Sequence, residues 1–144
     1  MAHGWLTTPQ GKMSKSKGNV IDPLELLKKY PKDLLRTYFI AKINFLQDGV
    51  CDEDLLKDFY QDFFVHNLGN LYSRVGKMIE LYNNGTVLTF KETENFFLKE
   101  YYQTLLSTIN EYQKLMDNYQ LTAGFQKTRV LLDLSNKLIQ KLEP

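Results

Sequence analysis

Three lysines and two serines fall within the run Lys12-Met13-Ser14-Lys15-Ser16-Lys17, bracketed by Gly11 and Gly18. Ammonium groups this close repel one another, so the segment is better placed around an anion than alone, and serine hydroxyls add hydrogen bonds to phosphate oxygens. The glycines permit positive φ or close backbone approach where other residues are strained. The chemistry is that of a polyphosphate clamp, set against the plainer reading of a solvated Lys/Ser linker. A second pair stands at Asn70 and Arg74. An amide offers a paired donor and acceptor, and a guanidinium offers a donor fork with a flat stacking face; together they suit the Watson–Crick edge of an unstacked base. The chain has three arginines against fifteen lysines, which makes an arginine here less a product of composition. The plainer reading is a solvated surface pair. Cys51 is the single cysteine, and His3 and His66 lack ligand spacing, so neither a disulfide within the chain nor a metal site is expected.

The elements that must position these residues follow from punctuation and periodicity. Trp5 to Thr8 reads as a short strand ended by the turn signal Pro9-Gln10-Gly11. Asp22 caps a short helix with Pro23 at its first position, where the missing N–H costs nothing. Pro31 interrupts, and a second helix runs from about Lys32 to Lys42 with Leu34, Leu35, Tyr38 and Phe39 on its buried side. Asn44 to Gly49 reads as a linker. Asp52, Glu53 and Asp54 open a long helix with acid in its first turn. Its apolar stripe is Leu56, Tyr60, Phe64, Leu68, Leu71, Val75, Met78 and Tyr82, and Asn83-Asn84-Gly85 stops it. At 100° per residue, Asn70 and Arg74 share a face roughly 110° from the centre of that stripe and project outward. Two further helices span roughly Glu92 to Asn118 and Thr122 to Leu142.

Three such helices cannot bury their stripes singly. The expected fold is mainly α: a small strand-loop-helix subdomain over residues 1–45, then an antiparallel α-helical bundle over residues 46–144. With 144 residues and 43% hydrophobic content, the chain can bury one core. Net charge is only +1, so any RNA contact must be a local patch. No apolar run approaches the roughly 20 residues that cross a bilayer, and no signal-peptide pattern opens the chain, so a cytoplasmic protein is expected.

Lys12-Met13-Ser14-Lys15-Ser16, followed by Gly18-Asn19, is identical to the signature loop of class I aminoacyl-tRNA synthetases. His3-Gly4-Trp5-Leu6-Thr7, Asn19-Val20-Ile21-Asp22-Pro23, Asp33-Leu34-Leu35-Arg36, Gln47-Asp48-Gly49 and Asn67-Leu68-Gly69-Asn70-Leu71-Tyr72-Ser73-Arg74 resemble the methionyl-tRNA synthetases in particular, with a late echo at Asn136 to Pro144. The family's upstream motifs are absent: its nucleotide-binding fold, His-Ile-Gly-His type signature, methionine pocket and zinc knuckle. The resemblance therefore implies a C-terminal portion of such an enzyme, comprising the signature loop, the stem-contact subdomain and the anticodon-binding bundle, truncated at its C-terminus.

That resemblance implies a methionine–tRNA ligase as the full-length protein, with ATP, its Mg2+, methionine and tRNA as partners and no membrane. It places Lys12 and Lys15 as the catalytic cations of methionyl-adenylate formation. Lys12, Met13, Ser14, Lys15 and Ser16 become the ATP-binding set, and Asn70 and Arg74 contact the anticodon. It implies no metal site in this chain, which alone is expected to be inactive. Asn67 and Gly69 read as structural, Gly69 permitting close helix approach, and Asp33 with Arg36 as a helix-surface ion pair. The alternatives are the equivalent portion of a cysteinyl- or isoleucyl-type enzyme, or a helical partner-binding scaffold without RNA readout.

Overall fold

The computed structural model describes residues 4–44, 46–87, 89 and 95–142. His3, residues 92–94 and Pro144 lie outside the described residues; the helix expected from about Glu92 begins instead at Phe96, where the Asn95 side chain accepts from the Leu98 amide and caps it. The strand reading holds: β1 is Leu6–Thr8, and the turn at Pro9-Gln10 returns the chain as β2, Gly11–Lys12, pairing Thr7 with Lys12 and Thr8 with Gly11. A short 3-10 turn covers Lys15–Lys17. Helix α1 is Pro23–Lys29, where the Asp22 carboxylate accepts from the Leu24 amide, and α2 is Lys32–Lys42.

The expected linker does more than connect. Its end forms β3, Gly49–Val50, which lies parallel to β1 and gives a sheet ordered β2-β1-β3. The Gln47-Asp48-Gly49 sequence makes the junction. The Asp48 carboxylate accepts from the Trp5 amide at 2.7 Å, and the Gly49 amide donates to the Trp5 carbonyl at 2.9 Å. Gly4 must lack a side chain, because a Cβ there would stand 2.2 Å from the Gln47 carbonyl oxygen.

The long helix begins at α3, Glu53–Phe59, capped by the Asp52 carboxylate on the Leu55 amide, and ends with α4, Asn70–Asn83, where Asn84 takes the left-handed conformation at φ 47°. Between them, Tyr60–Gly69 winds as a π-helix, which the periodicity did not foretell. A Cβ at Gly69 would approach the Phe64 carbonyl oxygen at 2.8 Å. The glycine therefore serves the widened turn of its own helix rather than the approach of a neighbour. Helices α5, Phe96–Asp117, and α6, Leu121–Leu142, form an antiparallel hairpin.

The core sits at one end of the helices. Leu26, Leu34, Leu35, Tyr38, Ala41, Cys51, Leu56, Phe59, Phe63 and Phe125 are buried together. The expected stripe is corrected here. It followed four-residue steps through Tyr60 and Phe64, which wind around the helix, whereas the buried line is Leu56, Phe59, Phe63. Phe63 packs on Phe125 with ring centres 4.8 Å apart, and Phe59 stacks on Phe63 at 5.7 Å. No residue of α4 is buried, and Tyr82, assigned to the stripe, is 67% exposed. Helix α6 is pinned at its start by the Thr122 hydroxyl, which donates to the carbonyls of Ile40 at 2.9 Å and Ile43 at 3.3 Å.

Tyr38 joins sheet to helices. Its ring meets Phe59 edge-on at 5.7 Å, and its hydroxyl donates to the Val50 carbonyl at 2.9 Å. Burial pushes its phenol up to about 12, with Cys51 and Asp52 adding in the same direction. An acid whose pKa is raised by folding contributes stability that is complete below its ordinary value near 10 and is lost as pH rises through the folded value. Urea unfolding is expected to show a loss on the order of 2 kcal/mol between about pH 10 and 12 from this group. Tyr38→Phe should flatten that loss while lowering stability at neutral pH by about 1 kcal/mol.

Candidate functional site

The basic run is held as a shaped loop. Gly11 and Gly18 take φ values of 99° and 66°, so both bracketing glycines use the freedom that the sequence reading gave them. The side chain of Asn19 closes the loop. Its Oδ1 accepts from the Ser14 amide at 2.8 Å, and its Nδ2 donates to Thr8 Oγ1 at 3.2 Å and to the Lys12 carbonyl at 3.3 Å. Thr8 is buried and also donates to the Gly11 carbonyl at 3.2 Å, so one threonine and one asparagine tie the strand to both ends of the loop.

Within that frame, Ser14 Oγ and Ser16 Oγ lie 2.8 Å apart, and Met13 is half-buried. Lys15 and Lys17 are exposed and have no acidic partner among the described residues. Lys12 Nζ sits 4.6 Å from the centre of the Trp5 ring. Asp33 and Arg36 form the expected helix-surface pair, 3.9 Å apart and open to solvent.

The second set of residues lines a groove between the long helix and α6. A polar ladder forms its floor. Arg129 donates to Asp62 at 2.8 Å, Asn67 donates to Asp133 at 3.2 Å, and Asn136 donates to Asn67 at 3.4 Å. Residue numbers rise together across these pairs, so the two helices run in the same sense. Above the floor, Asn70, Arg74 and Lys77 line a hollow of about 690 Å3 together with Gln140. A second hollow of about 560 Å3 adjoins it, sharing Arg74, Lys77 and Gln140 and adding Met78, Leu81 and Tyr82. Asn70 and Arg74 are both exposed on α4, as the helical spacing requires, and neither side chain has a protein partner among the described residues.

The three arginines thus divide. Arg36 and Arg129 face carboxylates, and Arg74 faces open groove. The structural role read for Asn67 is specific: it is the rung joining the long helix to α6. Asn136 is the next rung. Cys51 is buried in the core, where burial, then Asp52, pushes its thiol up, which disfavours the thiolate.

Sequence reasoning missed Asn19, Trp5 and Asp48. Asn19 and Asp48 each stood beside a glycine, the one signal that a side chain there folds back onto backbone. Trp5 gave no local signal, because its contact depends on strand register.

Residues 1–76 match the family described as tRNA synthetases class I (M). A methionine–tRNA ligase of Mycoplasmopsis pulmonis is 36% identical over 144 residues, covering 100% of this chain and 28% of that protein. One of Oceanobacillus iheyensis is 38% identical over 144 residues, covering 99% of this chain and 21% of that protein. The solved structure of Mycobacterium tuberculosis methionyl-tRNA synthetase in complex with methionyl-adenylate has the same fold, with a TM-score of 0.80 at 24% identity over 96% of this chain and 27% of that one. The chain therefore spans between about a fifth and somewhat over a quarter of the length of these relatives.

The Asn19 knot can be tested directly. Asn19→Ala removes the acceptor of the Ser14 amide, and hydrogen exchange at that amide should accelerate by about tenfold or more, while the Leu56 amide in the core is unaffected. Unchanged exchange at Ser14 would show that the loop is shaped by its glycines alone.

Proposed function

Because the chain belongs to the class I tRNA synthetases of the methionyl (M) type, we propose that it supplies two working surfaces of a methionine–tRNA ligase: a polyphosphate-binding loop and an anticodon-binding groove. Membership in the M family also sets aside the cysteinyl- and isoleucyl-type alternatives. In this reading residues 1–45 are the loop and stem-contact subdomain and residues 46–144 are the anticodon-binding bundle. The protein works in the cytoplasm; among the described residues no helix is long and apolar enough to cross a membrane.

In the first step, the methionine carboxylate attacks the α-phosphorus of ATP and pyrophosphate leaves, forming the methionyl adenylate. Negative charge grows on the phosphate oxygens and on the departing pyrophosphate. Lys12 and Lys15 are the catalytic cations. An ammonium that meets charge as it develops lowers the transition state more than the ground state. Ser14 and Ser16 donate hydroxyl hydrogen bonds to the same oxygens, and Met13 anchors the loop against apolar neighbours. Mg2+ carried in with ATP would supply additional positive charge at the phosphates beside Lys12 and Lys15. The support within this chain is that the loop carries exposed cations uncompensated by acids on a backbone already ordered by Asn19.

In the groove, Asn70 and Arg74 read an unpaired base of the tRNA anticodon, the amide and guanidinium pairing with its Watson–Crick edge. The single observation that carries this half is that Arg74, beside an unpartnered asparagine, faces an open groove with no carboxylate partner among the described residues, whereas Arg129 is held by Asp62 and Arg36 pairs with Asp33 on the open surface. A partner helix can also engage a guanidinium, so binding to tRNAs that differ in anticodon is what separates base readout from a helix-binding scaffold.

Two measurements test the proposal. With tRNAs that differ only in anticodon, Arg74→Ala should cost about 1 to 3 kcal/mol on the methionine tRNA and much less on the others, whereas Lys77→Ala should weaken all alike and reduce the salt dependence. Equal losses on every tRNA for Arg74→Ala would refute base readout. For the loop, the chain is joined to the upstream portion of the Mycoplasmopsis relative. Lys15→Ala in that chimera should slow adenylate formation by roughly two orders of magnitude with methionine binding little changed. The chain alone should show no methionine-dependent pyrophosphate exchange.

A further inference from the structure

Lys12 differs from the other cations of the loop in being held before any anion arrives. Thr7 stands opposite Lys12 across the β1–β2 pair, and side chains two residues apart along a strand share a face. Trp5, two residues before Thr7, is therefore the diagonal neighbour of Lys12, within reach of a long side chain. The ammonium lies 4.6 Å from the indole centre, a cation–π contact. The indole is not spent on the core, since Trp5 is 67% exposed. Its backbone is nonetheless fixed on both sides, the amide by Asp48 and the carbonyl by the Gly49 amide. The backbone of Lys12 is fixed in turn by Asn19, which donates to its carbonyl.

From this geometry we propose that Trp5 is a positioning residue for Lys12, ordering its ammonium for a polyphosphate ligand; the inference rests on the reading of the loop as a polyphosphate clamp. A lysine carries four rotatable side-chain bonds, and freezing them on binding costs affinity. The ring face pre-pays that ordering in the free protein. An ammonium has three N–H donors, and a ring face engages one side of it, so phosphate oxygens can be added without breaking the contact. Trp5 touches no reacting atom and acts only through Lys12.

The test is a double-mutant cycle on the 144-residue chain with sodium tripolyphosphate as the probe, read by calorimetry and 31P line broadening. Trp5→Leu should weaken binding about three- to tenfold, while Trp5→Phe, which keeps an aromatic face, should retain most of the affinity. In a Lys12→Met background, Trp5→Leu should change nothing further. Trp5 is the only tryptophan, so its emission in the unaltered chain should also change saturably at the calorimetric midpoint. An equal loss in both backgrounds would make Trp5 merely structural and overturn the proposal, as would no loss at all. Binding seen by 31P with silent Trp5 emission would overturn it while leaving the clamp reading intact. Absence of tripolyphosphate binding to the unaltered chain would overturn both.

Discussion

The hydrogen bond from the Tyr38 hydroxyl to the Val50 carbonyl is where a sheet of seven residues is secured to the helices. Strands of three and two residues cannot stand alone in water. They are held because β3 is fixed at Val50, β1 pairs with β3, and β2 pairs with β1. Tyr38 is in turn immobilised by the rings of Phe39 and Phe59 and by the buried cluster running from Leu26 to Phe125. The loop that follows β2 therefore inherits its position from a phenol in the core. The raised pKa of that phenol reflects the same burial that makes it a rigid support.

Beyond this junction the fold changes character. The core ends near Phe63, and the long helix continues through its π segment into α4 with no buried residue of its own. What keeps it beside α6 is the ladder of Asp62 with Arg129, Asn67 with Asp133, and Asn136 with Asn67. Polar rungs hold two helices at a spacing without filling the space between them, and the groove above the ladder follows from that. An apolar contact at the same place would close the groove, because side chains of a packed core leave few voids.

Charge is distributed to match. Along the helices some cations meet carboxylates, Lys29 with Glu53, Lys57 with Asp54, Lys127 with Glu111 and Arg129 with Asp62, while Lys42 and Lys141 lie over the rings of Phe59 and Phe97. Lys15 and Lys17 on the loop, and Arg74 and Lys77 at the groove, have no acidic partner among the described residues. A net charge of only +1 thus conceals two local excesses of positive charge, each on a surface shaped by hydrogen bonds made elsewhere.

Much of this was legible in the residues themselves. The Asp22 and Asp52 caps, the helix over Lys32–Lys42, the stop at Asn84 and the left-handed glycines at 11 and 18 depend on bonds that close within a few positions, so local spacing determines them. So does the shared outward face of Asn70 and Arg74. The sequence could not show the π turns at Tyr60–Gly69, since residues spaced for an α-helix are compatible with both windings. Nor could it show that the core runs through Phe59 and Phe63 rather than Tyr60 and Phe64, because both lines satisfy helical spacing and only the arrival of Phe125 chooses between them. The identity of the chemical groups was thus fixed by the sequence, and their availability by the tertiary structure. Arg129 is consumed by a carboxylate 67 positions away and Trp5 is fixed by one 43 positions away, whereas Arg74 is left open. The i,i+3 pair of Arg36 with Asp33 is legible from spacing, but whether Arg129 or Arg74 is paired depends on which distant segment folds back beside it, and no local pattern carries that information.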